Sequence, residues 1–574
     1  MTNQEIADIF ERISNYLEIK GELVFKVSAY RRAAETLRPF HGNLAAMSKQ
    51  ELMEIPGIGQ AIAEKIQEIS ASGKIQLLEL LEEEIPPGLL EILKIPNLGP
   101  KKTAQLWREL NITNIEDLAL AAQNGTIRNL PGMGEKTESR ILIGIESLQN
   151  KTGRIPLHKA LPVAAEWRDR ISALPGITQV AIAGSIRRWK TTIGDLDLVA
   201  ATNDAHTAVE AFLSLPDISL VNSHGENKVS VQLKSGINLQ LWLQPEGRFG
   251  SLLLFVTGSK QHNVRLRDQS QHIGLSLSEK GFVDTAGKET LCPTEELVYQ
   301  TLGMQYIPPE LREDQGEIQA ALNGSLPVLI SNTDLVSDLH MHTTWSDGKA
   351  SIEQMAIKAL SRGLQMIAIT DHSPTWKHLG ALTAEALTRQ HIEIETLRDK
   401  YKNKITILHG AEVDILEDGS LDFPNDILAG LDYVIASLHI ALYQTPEEFT
   451  HRLLSAIRNP HVDMIAHPNG REVPRFHGAD ADWDAVFAAA LEEQVALEIN
   501  SNPLHLDLDE SRAKLAAKMG IMLCINSDAH SEAKMDQIQF GISTARRAGL
   551  SKHQILNCLS VEEQLQWIQD HRKH

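Results

Sequence analysis

Over residues 335–574, short apolar runs alternate with longer amphipathic stretches. The apolar runs are Val336 to Thr343, Met366 to Thr370, Ile405 to Val413, Tyr433 to Leu438, Met464 to Ala466, Val495 to Ile499 and Ile521 to Asn526. Helix-length segments such as Ser351 to Arg362, Thr383 to Lys400, Thr445 to Arg458 and Asp482 to Glu493 lie between them. Strand-helix alternation repeated in this way predicts a parallel, barrel-like α/β domain. Upstream, the run Val180-Ala181-Ile182-Ala183 ends at Gly184-Ser185. Nine residues after Ser185 begins Gly194-Asp195-Leu196-Asp197-Leu198-Val199, whose alternation puts both carboxylates on one face of a strand. The first 150 residues carry a different regularity. Ile55-Pro56-Gly57-Ile58-Gly59, Ile95-Pro96-Asn97-Leu98-Gly99 and Leu130-Pro131-Gly132-Met133-Gly134 each lead into a helical segment. Repetition of one unit along a chain is an organisational signal, here of a helix, a glycine hairpin and a second helix.

These patterns divide the chain into 1–150, 151–305, a Pro- and polar-rich stretch read as a linker at 306–334, and 335–574. With 574 residues several hydrophobic cores are expected, and 42% apolar and 23% charged residues are an ordinary globular balance. Three scattered cysteines, Cys292, Cys524 and Cys558, make no disulfide framework and point to a reducing, cytoplasmic compartment. The first residues lack a signal peptide's basic and apolar regions, and no run is long and apolar enough to span a membrane, so no membrane partner is expected.

A net charge of −20 weighs against a protein that coats DNA through bulk positive charge. Its distribution weakens that objection: residues 1–150 carry −5, 151–330 carry −2 and 331–574 carry −13. The hairpins do not need side-chain charge, because a helix N-terminus offers a phosphate its unpaired backbone N–H groups and the positive end of its dipole. Gly57, Gly59, Gly99, Gly132 and Gly134 are the candidate DNA-contacting positions. Sixteen of the 22 histidines fall in 331–574, and each apolar run there ends on ligand-type residues. In a parallel barrel chemistry sits at the C-terminal strand ends, so imidazole and carboxylate groups gathered there predict a metal centre.

The motifs resemble known families. The hairpin repeats are similar to the helix-hairpin-helix module, which grips the sugar-phosphate backbone without reading sequence. Phe25-Lys26-Val27-Ser28-Ala29-Tyr30-Arg31-Arg32-Ala33-Ala34 and Ala63-Glu64-Lys65-Ile66 resemble the small N-terminal domain of polymerase-beta-like enzymes, covering residues 1–80. That likeness implies DNA contacts at Lys26 and Tyr30, and makes Lys65 the candidate Schiff-base lysine for abasic-site lyase chemistry, beside the plainer reading of a solvated helix lysine. Gly184-Ser185-Ile186-Arg187-Arg188, the Asp195/Asp197 pair and Phe255-Val256-Thr257-Gly258-Ser259-Lys260-Gln261-His262-Asn263 resemble the α+β nucleotidyltransferase palm and thumb of family X DNA polymerases. The resemblance implies catalytic Asp195 and Asp197 binding Mg2+, triphosphate contacts from Gly184, Ser185 and Arg188, and nucleotide contacts from Asn263 and Arg267. Three departures stand out: Gln240 occupies the position of a third aspartate, Trp189 stands where the family has Gly, and Trp242 stands where it has Arg. An amide brings no charge to a metal and cannot help deprotonate a primer hydroxyl, so polymerase activity is expected to be weak or absent.

His340-Met341-His342-Thr343-Thr344-Trp345-Ser346-Asp347-Gly348, Thr370-Asp371-His372, His409-Gly410-Ala411-Glu412, Ser437-Leu438-His439, Ala466-His467-Pro468 and Asn526-Ser527-Asp528-Ala529-His530 resemble the polymerase and histidinol phosphatase (PHP) family of metal-dependent phosphoesterases, a distorted seven-stranded barrel. The likeness implies nine metal ligands: His340, His342, Asp347, His372, Glu412, His439, His467, Asp528 and His530. By analogy with three-metal members, His340, His342, Glu412 and Asp528 hold one ion, His372, His530 and Asp347 a second, and His439 and His467 a third bridged by Glu412. Mixed imidazole and carboxylate ligands suit Mn2+, Zn2+ or Fe. Arg471 and Arg475 are candidate phosphate contacts or ordinary surface arginines.

The module order resembles bacterial family X polymerases with an attached PHP domain. It implies a monomeric DNA repair protein of base-excision repair that acts at 3' ends of gapped or nicked duplex, a metal-dependent 3'-5' exonuclease in the barrel, and dNTP binding if the polymerase site works. A fully active gap-filling polymerase with exonuclease, and a DNA-binding scaffold with a small-molecule PHP phosphatase, are the alternatives.

Overall fold

A computed structural model describes residues 3–37, 44, 47–55, 57–72, 75–93, 95, 98–134, 137–138, 140–142, 145, 154–375, 382–442, 444–473 and 478–572. The chain forms two compact units, residues 1–152 and 153–574.

The first unit is helical, and its three hairpins are built alike. The amide of Ile58 donates to the carbonyl of Ile55 (3.0 Å), Leu98 to Ile95 (3.1 Å) and Met133 to Leu130 (3.0 Å). One turn later Ala63 donates to Gly59, Thr103 to Gly99 and Glu138 to Gly134. The apolar residues Ile55, Ile58, Ile95, Leu98 and Met133 are buried in one shared core, which anchors each hairpin from behind. Gly57 and Gly132 adopt φ of +89° and +76°, a region that L side chains rarely enter. A Cβ added at Gly59, Gly99, Gly132 or Gly134 would meet nothing within 4 Å, so these loops present bare backbone to open space.

The second unit begins with a five-stranded sheet of β1 (Ile177–Ile182), β2 (Leu196–Thr202), β3 (Ile218–His224), β4 (Lys228–Leu233) and β5 (Asn238–Gln244), in the order β1-β2-β5-β4-β3. The pair β2 and β5 is parallel and sets Asp197 opposite Gln240 and Val199 opposite Trp242. Residues 306–334, expected as a linker, are folded into this unit. They contain a short helix, Glu317–Leu322, and Arg312 is fully buried, with Nη1 donating to Glu295 at 2.5 Å. Glu317 likewise pairs with the buried His262 at 2.6 Å. Buried carboxylates require such partners, which is why a Pro-rich segment with charged residues is held rather than solvated.

The rest of the unit is a sheet of seven parallel strands in sequential order: β6 (Ser337–Asp338), β7 (Met366–Ile369), β8 (Thr406–Asp414), β9 (Tyr433–Ser437), β10 (Met464–Ile465), β11 (Ala496–Asn500) and β12 (Leu523–Asn526). Beyond the first and last strands, Met341 bridges Ala529, which brings the ends of the sheet together. Leu339, Met366, Ala368, Leu408, Ile435, Met464, Ala496 and Cys524 fill one core, and the helices outside close over a second, larger one. Ser351, Thr383, Thr445 and Asp482 cap the helices that follow, each accepting from a backbone amide of the first turn.

The palm-like sheet and the barrel share a core. Leu506 and Phe540 of the barrel lie in the cluster formed by Leu196, Leu198 and Leu241, and the Trp189 ring meets Phe540 edge-on at 6.0 Å. Trp189 has φ of +55°, the backbone conformation that a glycine would take without cost. Arg547 carries the polar part of the junction, donating to Glu510 (2.8 Å), Glu313 (3.3 Å) and the carbonyl of Arg188 (2.8 Å).

Candidate metal centre and nucleotidyl-transfer site

The barrel site is organised around Glu412, near the end of β8. Its carboxylate lies 2.9 Å from Nε2 of His467, 3.1 Å from Nδ1 of His372, 3.2 Å from Nε2 of His342, 3.3 Å from Nε2 of His340 and 3.5 Å from Nε2 of His439. Asp528 stands 3.3 Å from His342 and 3.6 Å from His340 and His530. Asp347 closes the other side, 3.2 Å from His530 and 3.8 Å from His372. All nine sequence-identified residues therefore meet at one end of the barrel.

Three groupings have ligand atoms close enough to share an ion: His342, Asp347, His372 and His530; His340, His342 and Glu412; and His372, Glu412 and His439. These overlap more than the three expected sets, since His342 and His372 each serve two groupings. The donors fit cations. Nε2 of His340 and Nε2 of His342 face each other at 3.2 Å, and the buried Nδ1 of His342 has no hydrogen-bond partner. Lone pairs and carboxylate oxygens converging this closely are stabilised by a positive ion between them. Burial depresses His342, but hydrogen bonding to Asp528 and Glu412 outweighs it and pushes the imidazole up to about 10. Burial likewise opposes His467, which Glu412 pushes up to about 9. Glu412 is held well below the usual carboxylate range, because the surrounding imidazoles outweigh its burial.

Several residues around the ligands were not singled out from the sequence. Glu498 on β11 binds Nδ1 of His340 at 2.8 Å and accepts from Asn500 and Asn526, both at 3.0 Å. Asp414 binds Nδ1 of His439 at 3.0 Å. Fixing one ring nitrogen aims the other, so these carboxylates orient the ligands. The signal for Glu498 was its spacing of two from Asn500 on a strand, which puts both on one face. Asp371 does not ligate; it accepts from the amide and hydroxyl of Thr343, both at 2.7 Å, and holds the loop that carries Asp347. His409 lies apart from the cluster, its ring 5.1 Å from that of His391. Arg471 donates Nε to the carbonyl of His505 at 2.8 Å. Arg475 lies outside the described residues.

The palm-like site is assembled but altered. The Nε2 amide of Gln240 donates to Asp195, and the indole of Trp242 donates to Asp197 at 3.3 Å. Burial, and then the neighbouring charge of Asp195, raises the Asp197 carboxyl to about 7. A Cβ at Gly184 would lie 2.2 Å from Asp197, so only glycine permits this loop to approach the carboxylate. Arg188 donates to Glu313 (2.9 Å) and to the carbonyl of Thr257 (2.6 Å). Asn263 donates to the carbonyl of Phe255 at 2.7 Å, and Arg267 to that of Asn263 at 3.3 Å. Ser185 is half-buried beside them. In the N-terminal unit, Lys65 pairs with Glu68 at 2.5 Å, Lys26 with Glu22 at 3.1 Å, and Tyr30 is buried.

Family models match residues 1–75 as a helix-hairpin-helix domain, 89–147 as a SAM-like helix-hairpin-helix tandem, 252–313 as a DNA polymerase beta thumb and 338–502 as a PHP domain. A DNA polymerase/3'-5' exonuclease PolX from Bacillus subtilis is 38% identical over 98% of both chains. DNA polymerase lambda of Rattus norvegicus is 27% identical over 54% of this chain and 56% of its own. A probable phosphatase of Thermoanaerobacter sp. is 34% identical over 39% of this chain and 90% of its own. Agreement of module order, barrel topology and near full-length identity places the chain in the PolX family, the family X DNA polymerases that carry a C-terminal PHP domain.

Proposed function

We propose that the chain is a DNA repair enzyme whose barrel removes nucleotides from 3' ends as a metal-dependent 3'-5' exonuclease, and whose palm-like module is impaired as a polymerase. The observation that carries the reading is the convergence of five imidazoles on the Glu412 carboxylate within 3.5 Å. Such a donor set suits Mn2+ or Zn2+, up to three ions. Bound there, the ions supply a water of lowered pKa and neutralise charge on the scissile phosphate. The chain's own residues do the positioning. Glu498 and Asp414 aim His340 and His439, Asp371 holds the loop of Asp347, and the hairpins at Gly57, Gly59, Gly99, Gly132 and Gly134 offer backbone donors to the duplex, with Lys26 and Tyr30 as further contacts from the helix Val24–Leu37. The natural substrate is gapped or nicked DNA met in the bacterial cytoplasm, bound by a monomer.

Impairment of the polymerase rests on Gln240. Its amide N–H groups face Asp195 where a third carboxylate would share Mg2+, and Arg188 is engaged by Glu313 instead of being open to a dNTP triphosphate. Asp195, Asp197, Gly184, Ser185, Asn263 and Arg267 then serve to hold a DNA end or nucleotide. End-labelled gapped duplex incubated with Mn2+, with and without dNTPs, tests both parts. Shortening from the 3' end that His340→Ala abolishes, without extension, is the expected outcome. Absence of degradation by metal-loaded protein removes the exonuclease reading, and robust extension that Asp195→Ala abolishes removes the impairment.

A further inference from the structure

His505 was not among the expected ligands, yet its Nδ1 is tied as that of His439 and His530 is. It lies in the segment after β11, where the amides of His505 and Leu506 both donate to the carbonyl of Asn502, at 2.8 and 2.9 Å. The segment is pinned on both sides. Leu506, at φ +48°, is buried in the palm-side core, and buried Asp507 accepts from the amide of Asn469 at 2.9 Å. Arg471, in the loop after His467, donates Nε to the carbonyl of His505 at 2.8 Å. In return Nδ1 of His505 lies 2.9 Å from the carbonyl of Arg471.

That last contact decides the tautomer. A carbonyl oxygen only accepts, so Nδ1 carries the proton and Nε2 of the neutral ring keeps its lone pair. Nε2 has no protein partner among the described residues. The tie at Nδ1 recurs among the residues read as ligands: Nδ1 of His530 lies 2.9 Å from the carbonyl of Asp528 and Nδ1 of His439 lies 3.0 Å from Asp414, while their Nε2 atoms face the carboxylates of Asp347 (3.2 Å) and Glu412 (3.5 Å). A ring nitrogen tied to a carbonyl or carboxylate, with the other left bare, is the usual setting of a metal-bound imidazole. His262, buried in the palm-side unit, differs: both of its nitrogens are used, by Glu317 and Tyr299.

Position agrees with chemistry. The His505 ring lies 5.8 Å from that of His467, with 26° between their planes, and the His439 and His467 rings are 5.0 Å apart. Two imidazoles that share an ion at about 2.1 Å from each nitrogen have ring centres no more than roughly 6.4 Å apart. We propose that His505 is a tenth ligand of the metal centre, its Nε2 completing the donor set that His439, His467 and Glu412 offer to one divalent ion. This rests on the metal-centre reading above.

The test is metal binding by the full chain, stripped with chelator and titrated with Mn2+ or Co2+, with bound ions counted by elemental analysis. His505→Gln should weaken one ion by tenfold or more and leave the others within about twofold. The Co2+ form should lose visible absorption for that ion, and the metal-free melting temperature should stay that of the wild type. His439→Gln should weaken the same ion, so the double variant should lose no further site. If His505→Gln melts early, His505→Ala with added imidazole replaces it, and recovery of the weakened ion is the supporting result. A His505 variant that binds every ion as the wild type does overturns the inference alone. A His439→Gln variant that binds every ion as the wild type does overturns the three-ion reading beneath it.

Discussion

Arg547→Met severs the polar junction between the palm-like sheet and the barrel. Glu510 is partly buried, which by itself would raise its carboxyl, but Arg547 outweighs burial and holds it at about 2 against an ordinary 4.5. That difference is on the order of 3 kcal/mol, in line with the roughly 3–5 kcal/mol expected when one partner of a buried pair is removed. Because the folded value is depressed, the stabilisation is complete above the ordinary value and is lost as pH falls toward the folded one. The gap between wild type and variant should therefore be about 3 kcal/mol at pH 7 and about 2 kcal/mol at pH 3.5. Amide hydrogen exchange is the assay, read on peptides covering 184–190 and 501–510. A loss of about 3 kcal/mol in local opening speeds exchange there by roughly 150-fold. Since Leu506 and Glu510 both lie on the barrel side of that junction, in the segment that follows β11, exonuclease activity should fall as well. Protection within about threefold of the wild type at pH 7, or a gap that does not shrink at pH 3.5, would refute the reasoning.

Gln240→Asp restores a third carboxylate beside Asp195 and Asp197, so Mg2+-dependent primer extension should rise at least tenfold and vanish with Asp195→Ala; unchanged extension would mean that Gln240 is not what limits the site. Lys65 is paired with Glu68 at 2.5 Å, and an ammonium held by a carboxylate is not a free nucleophile. Borohydride trapping on abasic-site duplex should accordingly be weak in the wild type, increase several-fold in Glu68→Gln and disappear in Lys65→Ala; trapping that survives Lys65→Ala assigns any lyase chemistry elsewhere.

Much of the fold was legible because its signals are local. Apolar runs of strand length, separated by helices whose caps Ser351, Thr383, Thr445 and Asp482 are visible as residue types, fall within a residue or two of the observed helix starts. The meeting of the nine residues that the family resemblance marks as ligands was legible for a related reason: in a parallel barrel each strand end points to the same rim, so residues distant in sequence need no further information to meet. The hairpins follow from Pro and Gly at fixed offsets from buried apolar anchors.

Other features depended on which segments touch. Nothing local marks 306–334 as folded; its Pro-rich composition reads as a linker until Glu295 and His262 are seen to need Arg312 and Glu317. The engagement of Arg188 depends on Glu313, and the backbone conformation of Trp189 goes with a ring set against Phe540 on the barrel. His505 looks like any loop histidine until the carbonyl of Arg471 selects its tautomer. Periodicity and residue type report what one segment prefers by itself. Pairing of buried charges, choice of tautomer and the burial of a residue such as Leu506 are properties of two or more segments in contact, and only folding brings those segments together.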